Sequence, residues 1–131
     1  MTENEVNNIC YQWIVSQGYK YKGILNKGLG QVEVPSGERL VLIDHQGIKD
    51  TPIDMVWIEA KGSDVGLSML LEGFIRVLYA CYYGGGKGLL ATPNKEYNML
   101  VAIHEFLANI SKASEKIIGL LNANTYAIYW F

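Results

Sequence analysis

Glu59 and Lys61 stand two residues apart in Ile53–Lys61, a run that is otherwise mostly apolar. Side chains alternate faces along a strand, so Glu59 and Lys61 share one face while Val56, Ile58 and Ala60 share the other. A carboxylate and an ammonium side by side on such a strand suit metal-dependent hydrolysis of a phosphodiester. The carboxylate oxygens match a hard divalent cation such as Mg²⁺ or Mn²⁺. The cation activates water and stabilises charge at phosphorus, and the lysine orients the water or neutralises developing negative charge. The plain alternative is a solvated ion pair at a strand end.

The elements that must position this pair are readable along the chain. Thr2-Glu3-Asn4-Glu5 has the pattern of a capping box, and Val6, Ile9, Cys10, Trp13 and Ile14 follow at helical spacing as far as Gly18. Residues 19–30 read as a lead-in strand or loop. Gln31–Val34 and Arg39–Asp44 are strand candidates separated by the turn residues Pro35-Ser36-Gly37, and His45–Pro52 reads as a polar connection leading to Ile53–Lys61. These three strands are expected to form an antiparallel meander. Gly62-Ser63-Asp64 then breaks the chain before a helix over Leu67–Tyr83, apolar almost all round and therefore expected to be central and buried. Its one polar stripe is Ser68, Glu72 and Arg76. A short strand, Leu89–Thr92, leads to a helix with Thr92 as N-cap and Pro93 in first position. A terminal hairpin turns around Asn122–Thr125.

Glu59-Ala60-Lys61-Gly62, at the end of an apolar strand and ahead of a helix, is similar to the ExK element of the PD-(D/E)xK nucleases. The order of helix, three-strand meander, helix and strand resembles the αβββαβ core of that superfamily over residues 3–93. The resemblance implies an α/β domain of restriction endonuclease-like architecture, with a central mixed sheet flanked by helices. It implies a metal-dependent DNA endonuclease or resolvase-like phosphodiesterase using Mg²⁺ or Mn²⁺, with Glu59 as metal ligand and Lys61 as catalytic lysine. A family member also carries an acid across from the ExK carboxylate. With the connection centred near residue 49, Glu38 or Arg39 falls opposite Glu59, and Asp44 lies five residues away, on the order of 15 Å at the usual strand rise. Substitution of Asp44 is accordingly expected to be mild. Asp54 follows Ile53 in the manner of the family's Pro-Asp signature, yet reaches Glu59's face only through a bulge. The second metal acid is thus Glu38, Asp54 or missing. Glu5 on the first helix and the Glu72–Arg76 stripe are possible supporting residues. The capping box explains Glu5 without function, and a buried i, i+4 ion pair accounts equally for the stripe.

Composition sets the wider frame. The chain has 131 residues, 50% hydrophobic and 18% charged, which fits a single globular domain over 1–131. The net charge is −2 and the pI about 5.6, without the basic surplus usual in a protein that grips DNA through phosphates alone. The acidic, polar opening does not read as a secretory signal, and no stretch reads as a membrane span, so a cytoplasmic protein is expected. Cys10 and Cys81 fall on apolar helix faces, away from any Cys/His cluster, as reduced core thiols would. The run GGGKG at 84–88 lacks the spacing of a phosphate loop. Nine tyrosines, three tryptophans and the aromatic run Tyr126–Phe131 point to a homodimer. The rival to the nuclease is a non-catalytic protein that keeps a degenerate nuclease-like fold for binding or oligomerisation.

Overall fold

The computed structural model describes residues 1–26, 30–33, 39–51, 53–113 and 119–130. Residues Met1–Tyr97 form one compact unit and Asn98–Phe131 a second. In the first, helix α1 (Glu3–Ser16) leads to strand β1 (Lys20–Gly23), then to β2 (Gly30–Glu33), β3 (Arg39–Ile43), β4 (His45–Asp50) and β5 (Ile53–Ala60). Helix α2 (Leu67–Gly84), strand β6 (Lys87–Ala91) and the start of helix α3 (Asn94–Ala113) complete it. In the second unit α3 is followed by a hairpin of β7 (Gly119–Leu121) and β8 (Ile128–Trp130). No helix among the described residues is long and apolar enough to cross a membrane.

The architecture is α/β. A mixed sheet runs in the order β1-β4-β5-β6, antiparallel from β1 to β5 and parallel between β5 and β6. The expected meander is corrected in its membership. Arg39–Ile43 does not pair with β5; it pairs with β2 in a separate two-stranded sheet. The antiparallel partner of β5 is β4, cut from the segment read as a polar connection. Asp50 pairs with Ile53, so Thr51 and Pro52 alone join the two strands. His45 and Gly47 are buried on β4's inner face, and His45 is bonded at both ring nitrogens. Burying such a group unpaired costs several kcal/mol, and the pairing removes that cost. A strand this polar is therefore admissible in the sheet.

One face of the sheet packs on α1. Val6, Cys10 and Ile14 cluster with Tyr19, Val56, Ile58 and Ala60. The predicted capping box is present: Glu5 N donates to Thr2 Oγ1 at 3.2 Å, and Thr2 N to Glu5 Oε2 at 2.6 Å. The opposite face packs on α2, where Ala80 and Cys81 meet Ile43, Met55 and Trp57. Trp57 Nε1 donates to the Gly85 carbonyl at 2.9 Å and fixes the end of that helix. The expectation of a helix buried all round is overturned. Leu70, Gly73, Val77 and Ala80 form a buried row, while Leu71, Phe74, Ile75 and Leu78 are exposed. The sheet covers one side of a helix, and this sequence is apolar on both. Helix α3 begins at Asn94, after Pro93, and the Thr92 hydroxyl is buried without a hydrogen-bond partner rather than capping the helix.

Candidate active site

Glu59 is the penultimate residue of β5 and Lys61 follows the strand's end, where the Lys61 amide donates to the Ala91 carbonyl of β6 at 3.0 Å. Both side chains are nearly enclosed: Glu59 is 2% exposed and Lys61 9%. Lys61 Nζ lies 3.6 Å from Glu59 Oε1, and Arg76 Nη1 of α2 lies 3.7 Å from the same oxygen. Two close approaches fix where these groups sit. At Gly73 an added Cβ would stand 3.0 Å from Leu90 Cδ1 and 3.2 Å from Lys61 Cε, so a side chain there would press both back by a few tenths of an ångström. At Gly62 it would stand 2.6 Å from the Glu3 amide nitrogen, where the start of α1 crosses the strand end.

Asp44 corrects the strand arithmetic. It occupies the bend between β3 and β4, and the β4–β5 register, in which His45 faces Ile58, carries on to set it opposite Glu59. Its amide donates to Glu59 Oε2 at 3.4 Å, and its Oδ2 accepts from the Ala60 amide at 3.0 Å. The expected separation from Glu59 is therefore wrong: Asp50 pairs with Ile53, so the β4–β5 connection is centred past residue 49, and that offset moves every partner of β5 by about five positions.

The Glu59 carboxylate thus meets an ammonium and a guanidinium at one oxygen and the Asp44 amide at the other, beside the bend that holds the Asp44 carboxylate. Burial, and next the negative charge of Asp44, push the Glu59 carboxyl up from its ordinary value to about 7, against the pull of Lys61, the Asp44 amide and Arg76. A buried carboxylate facing a second one is electrostatically short of positive charge even with both cations in place. This donor set fits a hard divalent cation. Mg²⁺ commonly takes one or two carboxylates and completes its shell with water and substrate phosphates. Among the described residues no group of three or more His, Cys, Asp or Glu side chains clusters, so a cation here would be held by no more than the Asp44 and Glu59 carboxylates, with water and substrate completing its shell.

The remaining sequence candidates are dispersed. Asp54 lies at the opposite end of β5, paired with Lys49 in register; it accepts from the Tyr19 hydroxyl at 2.5 Å and meets Lys87 Nζ at 3.5 Å. Five strand positions separate it from Glu59, roughly 17 Å. These partners lower its carboxyl, the Tyr19 bond first. Glu38 lies outside the described residues. Glu5 is exposed and spends its carboxylate on the Thr2 amide. Glu72 is exposed and binds Arg76 Nη2 at 2.6 Å, so of the supporting candidates only Arg76 reaches Glu59, and the pair is not buried.

Sequence reasoning gave no role to the groups behind Asp44. His45 Nε2 meets Asn7 Oδ1 at 2.8 Å, and His45 Nδ1 meets the Tyr21 hydroxyl at 2.7 Å. An amide oxygen only accepts, so Nε2 carries the proton, Nδ1 accepts from Tyr21, and the Tyr21 oxygen accepts from the Leu25 amide at 3.3 Å. Burial lowers the His45 pKa and keeps the ring neutral. The chain of bonds ties α1, β1 and β4 together beside the site and anchors the residue next to Asp44. Burial and the Asp44 charge also push the Cys10 thiol up to about 12, which leaves it inert. The chain matches no protein-family model, no curated protein and no solved structure.

Proposed function

We propose that the protein is a Mg²⁺- or Mn²⁺-dependent phosphodiesterase acting on DNA, of PD-(D/E)xK type with a restriction endonuclease-like core. The observation that carries this reading is the contact of Asp44 with Glu59 at the open end of the β4–β5 hairpin, where the Asp44 amide donates to Glu59 Oε2, with Lys61 beside the same carboxylate. The order of elements supports it as well. With the β2–β3 hairpin set aside as an insertion, α1, β1, β4, β5, α2 and β6 run as αβββαβ, with three antiparallel strands and a parallel fourth.

In this reading Asp44 and Glu59 hold the metal, which supplies Lewis-acid stabilisation and an activated water when bound. Hydrolysis adds that water across one P–O ester bond. Lys61, held at the strand end and packed under Gly73, orients the water and donates to the phosphoryl oxygens as their charge grows. Enclosure of Glu59 and Lys61 keeps bulk water from screening these interactions. Function in the cytoplasm and as a homodimer belongs to the same proposal. The test is cleavage of duplex, single-stranded and branched DNA with Mg²⁺ or Mn²⁺, with and without chelator. Wild-type protein that binds Mn²⁺ no better than Glu59→Gln, and cuts none of these substrates, returns the reading to the non-catalytic rival, whose support is the acidic pI of about 5.6.

A further inference from the structure

Two cations share one oxygen of Glu59, and they differ in what holds them. Lys61 is 9% exposed, grows from the end of a sheet strand and is packed at Cε beneath Gly73. It has no room to leave. Arg76 stands on the outer side of the site with 38% of its side chain exposed, and its contact with Glu59, at 3.7 Å, is beyond hydrogen-bonding range. Among the described residues its short bond, at 2.6 Å, goes to Glu72, whose side chain is 55% exposed and one helical turn away. An exposed i, i+4 pair of this kind is weakly held in water.

A divalent cation held by Asp44 and Glu59 would change this balance: Arg76 would no longer be needed to neutralise Glu59, and its long stem would let the guanidinium swing outward. A guanidinium is a planar fork that pairs bidentately with phosphate, and this one is the more exposed of the two cations beside Glu59. Resting on the metal reading of Asp44 and Glu59, we propose that Arg76 is a substrate-binding arm: it serves as counter-ion to Glu59 in the metal-free protein and, on metal binding, passes to a phosphate of the nucleic-acid backbone, with Glu72 as the rest that holds it meanwhile. Arg76 then supplies part of the positive charge that the overall composition lacks, and supplies it next to the reacting phosphate.

The test uses the full chain at pH 8 with two probes. Mn²⁺ binding is followed by calorimetry, and binding of a fluorescein-labelled oligonucleotide is followed by anisotropy in Ca²⁺ across a salt series. Arg76→Ala is expected to bind Mn²⁺ as well as wild type or a few-fold tighter. It should bind the oligonucleotide about tenfold more weakly, with the salt slope reduced by about one. Arg76→Lys should restore the slope with only part of the affinity, and Glu72→Gln, which frees the arm, should tighten oligonucleotide binding a few-fold. A purely structural role for Arg76 would weaken both probes in parallel, and that result overturns the assignment. So does an unchanged salt slope in Arg76→Ala with normal Mn²⁺ binding, which leaves the metal reading standing. Wild-type protein that takes up no Mn²⁺ removes the metal reading first and this assignment with it.

Discussion

Replacing Glu59 with glutamine is expected to stabilise the metal-free protein while removing its affinity for metal. The carboxyl rises from 4.5 to about 7 in the fold, chiefly through burial and secondly through Asp44. Such a rise corresponds to roughly 3 kcal/mol against the ionised form, at about 1.4 kcal/mol for each tenfold step. That rise is already net of the attraction to Lys61 and Arg76, so the expected gain at pH 8 is on the order of 3 kcal/mol. Its pH dependence follows from proton counts. Between 4.5 and about 7 the unfolded chain has released the proton and the folded chain retains it. The folded state therefore binds more protons in that window, and the contribution of Glu59 to stability falls as pH rises through it, then levels off. Urea unfolding of wild type and Glu59→Gln should coincide near pH 4.5 and diverge to the full difference by pH 8, with the variant the more stable. Saturating Mn²⁺ should reverse the order, because ligand at a thousand times its dissociation constant adds about 4.1 kcal/mol to the wild type alone. A difference that does not change with pH, or a glutamine variant less stable than wild type at pH 8 without metal, refutes the reasoning.

Asp44→Asn should keep the fold, since the amide oxygen can still accept from the Ala60 amide, yet lose metal-supported cleavage to background; unimpaired turnover in a nuclease assay would remove Asp44 from the site. Gly73→Ala gains helix propensity of about 1 kcal/mol and meets the Leu90 and Lys61 side chains. Its unfolding free energy should stay within about 1 kcal/mol of wild type while cleavage falls, and equal activity would mean that Lys61 tolerates displacement. His45→Ala strands Asn7 and Tyr21 and opens a cavity, so denaturant unfolding should register a loss of about 3 kcal/mol. Sedimentation at micromolar concentration should give twice 14.7 kDa; a species of 14.7 kDa removes the homodimer from the proposal.

The parts of this molecule that were legible beforehand are those set by local periodicity. Glu59 and Lys61 share a face because two residues separate them, whatever the rest of the chain does. The capping box at Thr2 and Glu5 is equally local. Asp44 was misread because cross-strand pairing depends on where the turn lies. Asp50-Thr51-Pro52 looks like the tail of a long loop, and reading it as a two-residue connection would have put Asp44 opposite Glu59. The strand nature of His45–Asp50 was concealed for another reason. Its polar side chains are satisfied by Asn7, Tyr21 and Met55, residues that no window around β4 contains. The exposed side of α2 illustrates the converse: hydrophobicity alone does not say which side of an apolar helix meets a sheet.

Asp44, Glu59 and Lys61 are all delivered by one hairpin and its immediate flanks, with a turn of two residues between the strands. Contacts within so short a stretch form early and at small entropic cost, so the two acids meet when β4 and β5 zip, whether or not α2 has yet docked. The same economy bears on heredity. On the proposed reading, the two acids and the lysine need only these few positions and a register, and β2–β3 lies between β1 and β4 without entering that hairpin. Length, composition and surface elsewhere can drift freely under such an arrangement. A lineage of chains built on it could lose every recognisable likeness to its cousins while each still closes the same small clasp.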